Sequence, residues 1–312
     1  MVKRHSFMIA ATAALLVGVP LSGCGTKDDG KAKVLVAPAA FPATMVALPD
    51  GGLLYGELEN GNIRKVSATG RRQTAPVAHV DVSSKGQRGL LGLAVDKRGR
   101  VFAGWTDRAQ RLVVGRVMPG PVTVVWRGPK TAEIGNGGRI GFPPDARPGT
   151  RLIVAIGMRQ REGEHKMPPP RGTMLSIDPD GPPDQRPRLV SRGWFNPFAF
   201  TFTPNGQLWV ADNSPDERPE RIARGDNGRP TAVTPLAVKL APSGLAALSN
   251  TRFAVCGIVS QRLDVYEIAP NGRAHVVGEP LARDCSLGVV RLADGKLAYA
   301  TPVTIRVVSA PS

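Results

Sequence analysis

The clearest alternation of hydrophobic and polar positions lies between Asn196 and Ile222. There an aromatic and β-branched run, FAFTFTP, precedes an Asn-Gly turn, and a second apolar run, LWVAD, follows that turn. Alternation with a period of two is typical of a half-buried β-strand, and Asn-Gly between two such runs favours a hairpin. This stretch therefore predicts a module of short antiparallel strands.

The module recurs along the chain. The strand that follows each turn begins at Leu53, Val101, Leu152, Leu208, Phe253 and Leu297. Successive starts are 44 to 56 residues apart, close to the repeat of roughly 40–50 residues found in propeller blades. Six such units joined by Gly, Asn, Asp and Pro turns predict an all-β fold, a six-bladed β-propeller. A β-sandwich is the alternative, but repeats of near-equal length fit it poorly.

The N-terminal segment has the pattern of an export signal. Lys3 and Arg4 precede an apolar run that is too short to span a bilayer comfortably. The segment ends in Leu-Ser-Gly-Cys, which resembles the cleavage box of bacterial lipoproteins. We predict a lipoprotein signal peptide over residues 1–23, a lipidated Cys24 with a flexible tether over 24–35, and the propeller over 36–312. An ordinary secretory signal with an incidental cysteine is the alternative.

Export and charge together restrict the class of partner. The chain is expected outside the cytoplasm, held to the bacterial cell membrane by the lipid on Cys24. Its formal net charge is +16, which would attract anionic envelope components such as phospholipid headgroups or acidic polymers. Nucleic acid is not expected, because exported proteins rarely meet it and the Lys and Arg are scattered through turns. A solvated basic surface with no defined partner is the simpler interpretation.

Two cysteines remain after Cys24, namely Cys256 and Cys285, in neighbouring predicted blades. Export compartments permit disulfides, so one interpretation is a bridge between these blades. The other is a pair of small buried thiols. Zinc is not expected, because the chain has no CxxC motif and four His in total.

Several segments resemble the glucose/sorbosone dehydrogenase family, six-bladed propellers that bind pyrroloquinoline quinone (PQQ) and calcium. They are GQRGLLGLAVD at 86–96, GNGGRIGFPPD at 135–145, GTMLSIDPDG at 172–181, FNPFAFTFTPNGQLWVADNSP at 195–215 and APSGLAAL at 241–248. Their order and spacing match the family from about Val36 to Val308. The resemblance implies oxidation of an aldose sugar by bound PQQ.

Several positions depart from the family pattern. Gly135 stands where the resemblance places the catalytic histidine, and glycine cannot accept a proton. Phe195 and Phe198 replace the family's Arg and Gln beside the quinone. Further replacements, aligned less closely, are Met158 for an Asp, Val259 for a Lys, and Cys285 and Leu287 for a pair of Arg. The three carboxylates of PQQ need Arg and Lys donors. We therefore predict no catalytic residue and neither PQQ nor calcium, unless the family activity is retained.

Some family positions do persist. The resemblance gives Gln87 and Asn196 as residual cofactor-binding residues, and the carbonyls of Ser214 and Pro215 as residual calcium ligands. An acidic cluster in the same region could also supply oxygen ligands to calcium; its members are Asp212, Asn213, Asp216, Glu217 and Glu220. The alternative is that these are turn residues paired with Arg218 and Arg221. His165 is a candidate substitute base, or a solvated side chain in a Pro-rich loop.

Two functional hypotheses follow. The first is a lipid-anchored propeller of sugar-dehydrogenase descent that binds or scaffolds without quinone chemistry. The second is an active PQQ-dependent aldose sugar dehydrogenase of the cell envelope.

Overall fold

The computed structural model describes residues 32–145, 147, 149–158, 172–214, 218–236 and 239–311. The predicted signal peptide and Cys24 lie outside these residues, as do Pro215, Asp216, Glu217 and His165. No helix among the described residues has the length and apolarity needed to cross a bilayer.

The described residues form 24 strands in six sheets. Blade one contains β2 (Pro42–Ala47), β3 (Leu53–Glu57), β4 (Asn62–Val66) and β5 (Ala78–His79). Blade two contains β6 (Leu90–Val95), β7 (Val101–Thr106), β8 (Arg111–Met118) and β9 (Thr123–Lys130). Blade three contains β10 (Gly137–Gly141), β11 (Leu152–Ile156), β12 (Thr173–Ile177) and β13 (Arg188–Arg192). Blade four contains β14 (Asn196–Phe202), β15 (Leu208–Asn213), β16 (Arg221–Asn227) and β17 (Arg229–Pro235). Blade five contains β18 (Pro242–Ala247), β19 (Arg252–Gly257), β20 (Leu263–Ile268) and β21 (Ala274–Val276). Blade six contains β22 (Gly288–Arg291), β23 (Leu297–Ala300), β24 (Ile305–Val308) and β1 (Lys33–Val36).

Each blade is a four-stranded antiparallel sheet, and the predicted six-bladed β-propeller is confirmed. Blade six differs from the others because its outermost strand comes from the N-terminal end of the domain. There Lys33 pairs with Val307 and Val36 pairs with Ile305. The propeller therefore begins at Lys33, three residues before the predicted start at 36, and this strand closes the ring.

Each hydrophobic cluster of the core is shared by two neighbouring blades. Leu91 and Phe102 of blade two, for example, pack with Val154 and Leu175 of blade three. Corresponding clusters join the other five pairs of neighbours around the ring. The first strand of every blade consequently lines a central channel, and closure of the ring leaves only short, protected edges.

The propeller has two different faces. The upper face carries the connections between blades and the turns between second and third strands. For instance, the Leu90 N–H in one such connection donates to the Leu58 carbonyl in a turn of blade one, at 2.9 Å. The lower face carries the turns between first and second strands.

Most first strands shift register close to their upper ends. These irregularities re-aim side chains locally, as β-bulges do at many functional sites. Arg139, Phe198 and Ser243 all lie within them, on three different blades.

Candidate functional site

Gly135 joins blades two and three on the upper face. Its N–H donates to the Gln87 side-chain oxygen at 2.9 Å, and the Asn136 side chain donates to the Gln87 carbonyl at 3.1 Å. Gly135 has φ of +66°, a conformation that favours glycine. Gln87 and Gly135 are therefore brought together as expected for one site, but their contact is a structural hydrogen bond between loops.

The Asp212 side chain fixes the backbone at the start of blade four by hydrogen bonds. Its buried carboxylate accepts hydrogen bonds from the backbone N–H groups of Phe195 and Asn196, each at 3.0 Å. Arg221 donates to the same carboxylate at 2.9 Å. Burial raises the pKa of Asp212 to about 6, although Arg221 and the backbone donors act in the opposite direction. Asp212 is thus a paired structural carboxylate, which favours the interpretation of this region as turn residues paired with arginine.

Asn196, the second residual cofactor position, retains an unused acceptor. Its side-chain oxygen is buried and accepts no hydrogen bond from the described residues. A Cβ placed on Gly157 would lie 2.6 Å from that oxygen, so the glycine leaves the space in which the amide sits. Asn196 and Gln87 lie on different blades, and no described hydrogen bond joins them.

Phe195 and Phe198 each pack against an arginine that sequence comparison did not identify as part of the site. The guanidinium carbon of Arg218 lies 4.1 Å from the Phe195 ring centre, and that of Arg221 lies at 5.3 Å. On the channel side, Arg139 lies 4.4 Å from the Phe198 ring centre. The aromatic replacements are consequently covered by cation–π contacts.

Arg139 crosses the central channel from blade three. Its Nη2 donates to the Ser243 carbonyl on blade five at 3.0 Å. Part of the residue remains accessible from the channel, but protein atoms surround the guanidinium, and this burial lowers the pKa of Arg139 to about 10. No described carboxylate pairs with it. The glycine-rich motif made this residue visible in the sequence, but the pattern did not indicate where its side chain points.

The residues at the family's quinone positions do not fit PQQ. Val259 is exposed, Leu287 is buried, and Cys285 forms a disulfide bond with Cys256, their Cα atoms being 5.6 Å apart. None of these side chains can donate a charged hydrogen bond to a carboxylate, and burying carboxylates without partners costs several kcal/mol each. The bridge also joins blades five and six, which is one of the two arrangements that the sequence allowed.

Of the two predicted calcium ligands only Ser214 is described, and its carbonyl already has a cationic partner. The Ser214 carbonyl accepts a hydrogen bond from Lys239 Nζ at 2.8 Å, and the same ammonium lies 3.8 Å from a Glu220 carboxylate oxygen. Glu220 in turn accepts the backbone N–H groups of Leu240 and Ala241. The ammonium group of Lys239 thus forms a hydrogen bond with the oxygen that was predicted to ligate a metal. Among the described ranges, no group of three His, Cys, Asp or Glu could hold a metal ion.

Beside these positions, the upper face contains a cavity of about 500 Å³ between blades five, six and one. Its apolar lining includes Phe41, Ile258, Leu287 and Val303. Its polar lining includes Gln261, Asp284, Ser286 and Arg306. Leu287 therefore forms part of a wall in which apolar and polar side chains both face the cavity.

The sequence profile of the family "Glucose / Sorbosone dehydrogenase" matches residues 39–230, more than half of the chain. Solved structures with a similar fold include an oxidoreductase (glucose dehydrogenase) from Thermus thermophilus. It is 23% identical, with 89% of this chain and 99% of that chain covered and a TM-score of 0.71. No curated protein matches the chain at a significant level.

Two aldose sugar dehydrogenases have the same fold. The PQQ-bound enzyme from Streptomyces coelicolor is 20% identical, covering 89% of this chain and 97% of its own, with a TM-score of 0.69. The soluble apo-enzyme from Escherichia coli is 18% identical, covering 90% and 99%, with a TM-score of 0.71. These identities establish a common fold, and the profile match extends the relationship to the sequence itself. The chain belongs to the glucose/sorbosone dehydrogenase family.

Proposed function

We propose that this protein is a lipid-anchored propeller of the cell envelope that binds a ligand or partner without quinone chemistry. One observation carries the proposal: the position of the family's catalytic base is Gly135, and Phe195 and Leu287 replace residues that would hold the quinone. A general base must reach the substrate proton and titrate near the working pH. Backbone and aromatic rings cannot perform this step.

The calcium position supports the same proposal. Lys239 supplies a fixed positive charge at the Ser214 carbonyl, where the resemblance places a divalent cation. A protein-borne ammonium can stabilise the loop in the way that a bound cation would, so the Ser214 carbonyl has a charged partner without calcium. The site thereby keeps its architecture and loses its cofactor dependence.

The upper cavity is the region we assign to ligand binding. Its volume of about 500 Å³ lies within the range of roughly 300–1,000 Å³ typical of small-molecule sites. Ile258 and Val303 in its lining are 44% and 62% exposed, and the buried Leu287 also lines it. This lining suits a neutral ligand with an apolar portion better than a sugar acid or a tricarboxylate.

Anchoring is proposed from the N-terminal sequence. The basic start, short apolar run and Leu-Ser-Gly-Cys ending support cleavage before Cys24 and lipid attachment to it. Several acyl chains on one residue would hold the protein firmly to a membrane, whereas a single chain is marginal. Mass spectrometry of the membrane-derived protein should find Cys24 at the N-terminus carrying acyl chains; an unmodified Cys24 would count against the anchor.

The proposed absence of quinone-dependent dehydrogenase activity is tested by reconstitution. The purified chain is incubated with PQQ and calcium and assayed with a dye acceptor and a panel of aldoses, with the Escherichia coli aldose sugar dehydrogenase as positive control. We expect no sugar-dependent dye reduction above the protein-free control. Saturable reduction with any aldose would show that the second hypothesis, an active dehydrogenase, is correct.

A further inference from the structure

The lower face contains a small basic cavity on the side opposite the candidate site. It has a volume of about 210 Å³ and lies between the lower turns of blades two and three. Its charged lining consists of Lys97, Arg98, Arg100, Arg147 and Asp96. Four cations and one carboxylate around so small a space favour an anionic ligand.

Arg100 pairs with both carboxylates next to this cavity. Its Nε donates to Asp96 at 2.7 Å, and its Nη1 donates to Asp180 across the blade boundary. The hydrogen bond from Arg100 holds the pKa of Asp180 below its usual value. Arg100 is thus the hydrogen-bonded partner of both carboxylates, and the nearby charge of Arg98 also lowers the pKa of Asp180.

The four cations exceed the two carboxylates, Asp96 and Asp180, by two positive charges, and the cations outside the Arg100 pairs are Lys97, Arg98 and Arg147. All three are exposed, and none has an ion-pair partner among the described residues. Asp145 precedes Arg147 in the same turn, but it is not part of the lining. Three exposed cations that line one cavity are the kind of donor set that binds a phosphate group.

The direction of β1 indicates which face of the propeller lies nearer to the proposed lipid anchor at Cys24. β1 runs upward, because Lys33 pairs with Val307 at the lower end of β24 and Val36 pairs with Ile305 at its upper end. The first described residues, 32 and 33, therefore lie at the lower face of the propeller. Eight residues separate Cys24 from Lys33, and they can span at most about 30 Å.

We propose that this lower cavity binds the phosphate of anionic phospholipid headgroups, so that the propeller sits with its lower face on the membrane. The orientation rests in part on the proposed anchor at Cys24, since the short tether keeps this face near the bilayer. Each Lys or Arg near an anionic membrane surface contributes about 1 kcal/mol, roughly a fivefold gain in affinity. The upper cavity then faces away from the membrane and stays open to ligands.

The test uses residues 25–312, which contain all six blades and the closing strand β1, and which lack the lipid. Binding to phosphatidylglycerol-containing vesicles and to pure phosphatidylcholine vesicles is measured by co-sedimentation at low and high salt. The test variant is Lys97→Gln/Arg98→Gln/Arg147→Gln. The matched control, Lys85→Gln/Arg108→Gln/Arg283→Gln, removes three exposed cations from the upper face.

We expect salt-sensitive binding to the anionic vesicles alone, roughly 100-fold weaker for the lower-face variant, with the control close to wild type. Equal weakening of both variants, or no binding of the wild type, would overturn the proposal. Displacement of the protein by low concentrations of inorganic phosphate, at constant ionic strength, would instead assign the cavity to free phosphate. The lipid on Cys24 is tested separately by the mass of the membrane-derived protein, so either claim can fail alone.

Discussion

The guanidinium carbon of Arg139 lies 4.4 Å from the centre of the Phe198 ring, where blades three and four meet in the central channel. Both residues lie in register shifts at the upper ends of first strands. The resemblance places a glutamine at position 198, and the phenylalanine found there gives Arg139 an aromatic surface. The channel is accordingly packed at this level by a cation–π contact between blades three and four.

That contact should appear as coupling between the two side chains. In a double-mutant cycle with Arg139→Met and Phe198→Leu, we expect a coupling energy of about 0.5–2 kcal/mol in the free energy of unfolding. The substitutions keep most of the packing volume, because methionine preserves the length of the arginine stem. Strict additivity in urea denaturation would show that the cation–π contact contributes nothing.

The stability of the protein should fall as the pH rises from about 4 to 6 because of Asp212. Its pKa in the folded state is about 6, against an ordinary value of 3.8, so the folded state holds its proton more tightly than the unfolded state. Stability contributed by a raised carboxyl pKa is present at low pH and is lost on ionisation, here by about 3 kcal/mol at most.

Urea denaturation at pH 4 and pH 6.5 measures this dependence, with Asp212→Asn as the comparison. The asparagine variant should be less stable overall, because Arg221 loses its carboxylate partner, but its stability should change less over the same pH range. An identical pH dependence in both proteins would show that Asp212 is ionised throughout, held so by Arg221 and the backbone donors.

Calcium should have no effect on thermal stability. Since Lys239 Nζ already occupies the Ser214 carbonyl, we expect the same melting temperature with excess calcium and with a chelator. Lys239→Met should lower the free energy of unfolding by about 1–3 kcal/mol, because the Ser214 carbonyl and Glu220 both lose a charged partner. A rise of several degrees on adding calcium to the wild type would contradict this account of the site.

Closure of the ring by β1 predicts a sharp boundary for N-terminal truncation. A chain that begins at residue 32 should be as stable as one that begins at residue 25. A chain that begins at residue 38 loses the outer strand of blade six and the buried Val36 side chain, which should cost about 3 kcal/mol or more. Equal melting temperatures for all three would show that β1 is dispensable.

The repeat could be predicted from sequence because each blade contains a turn followed by a short apolar strand, as at Leu208 and Leu297. The closing strand could not, since Lys33–Val36 has no such turn and acquires its partner only when the ends of the domain meet. The glycine at position 135, where the resemblance places a histidine, could also be read from the sequence. The contact between Lys239 and Ser214 could not be predicted, because nothing in the local sequence pattern brings these two residues together.

The most direct test of the central claim is equilibrium binding of PQQ to the purified chain in the presence of calcium. Titration is followed by the absorbance of the quinone and by calorimetry, with the Escherichia coli aldose sugar dehydrogenase as positive control. Without cationic donors at Val259 and Leu287, we expect no saturable binding under conditions in which the control protein is fully loaded. Stoichiometric PQQ binding, followed by reduction of the bound quinone on adding an aldose, would contradict the account.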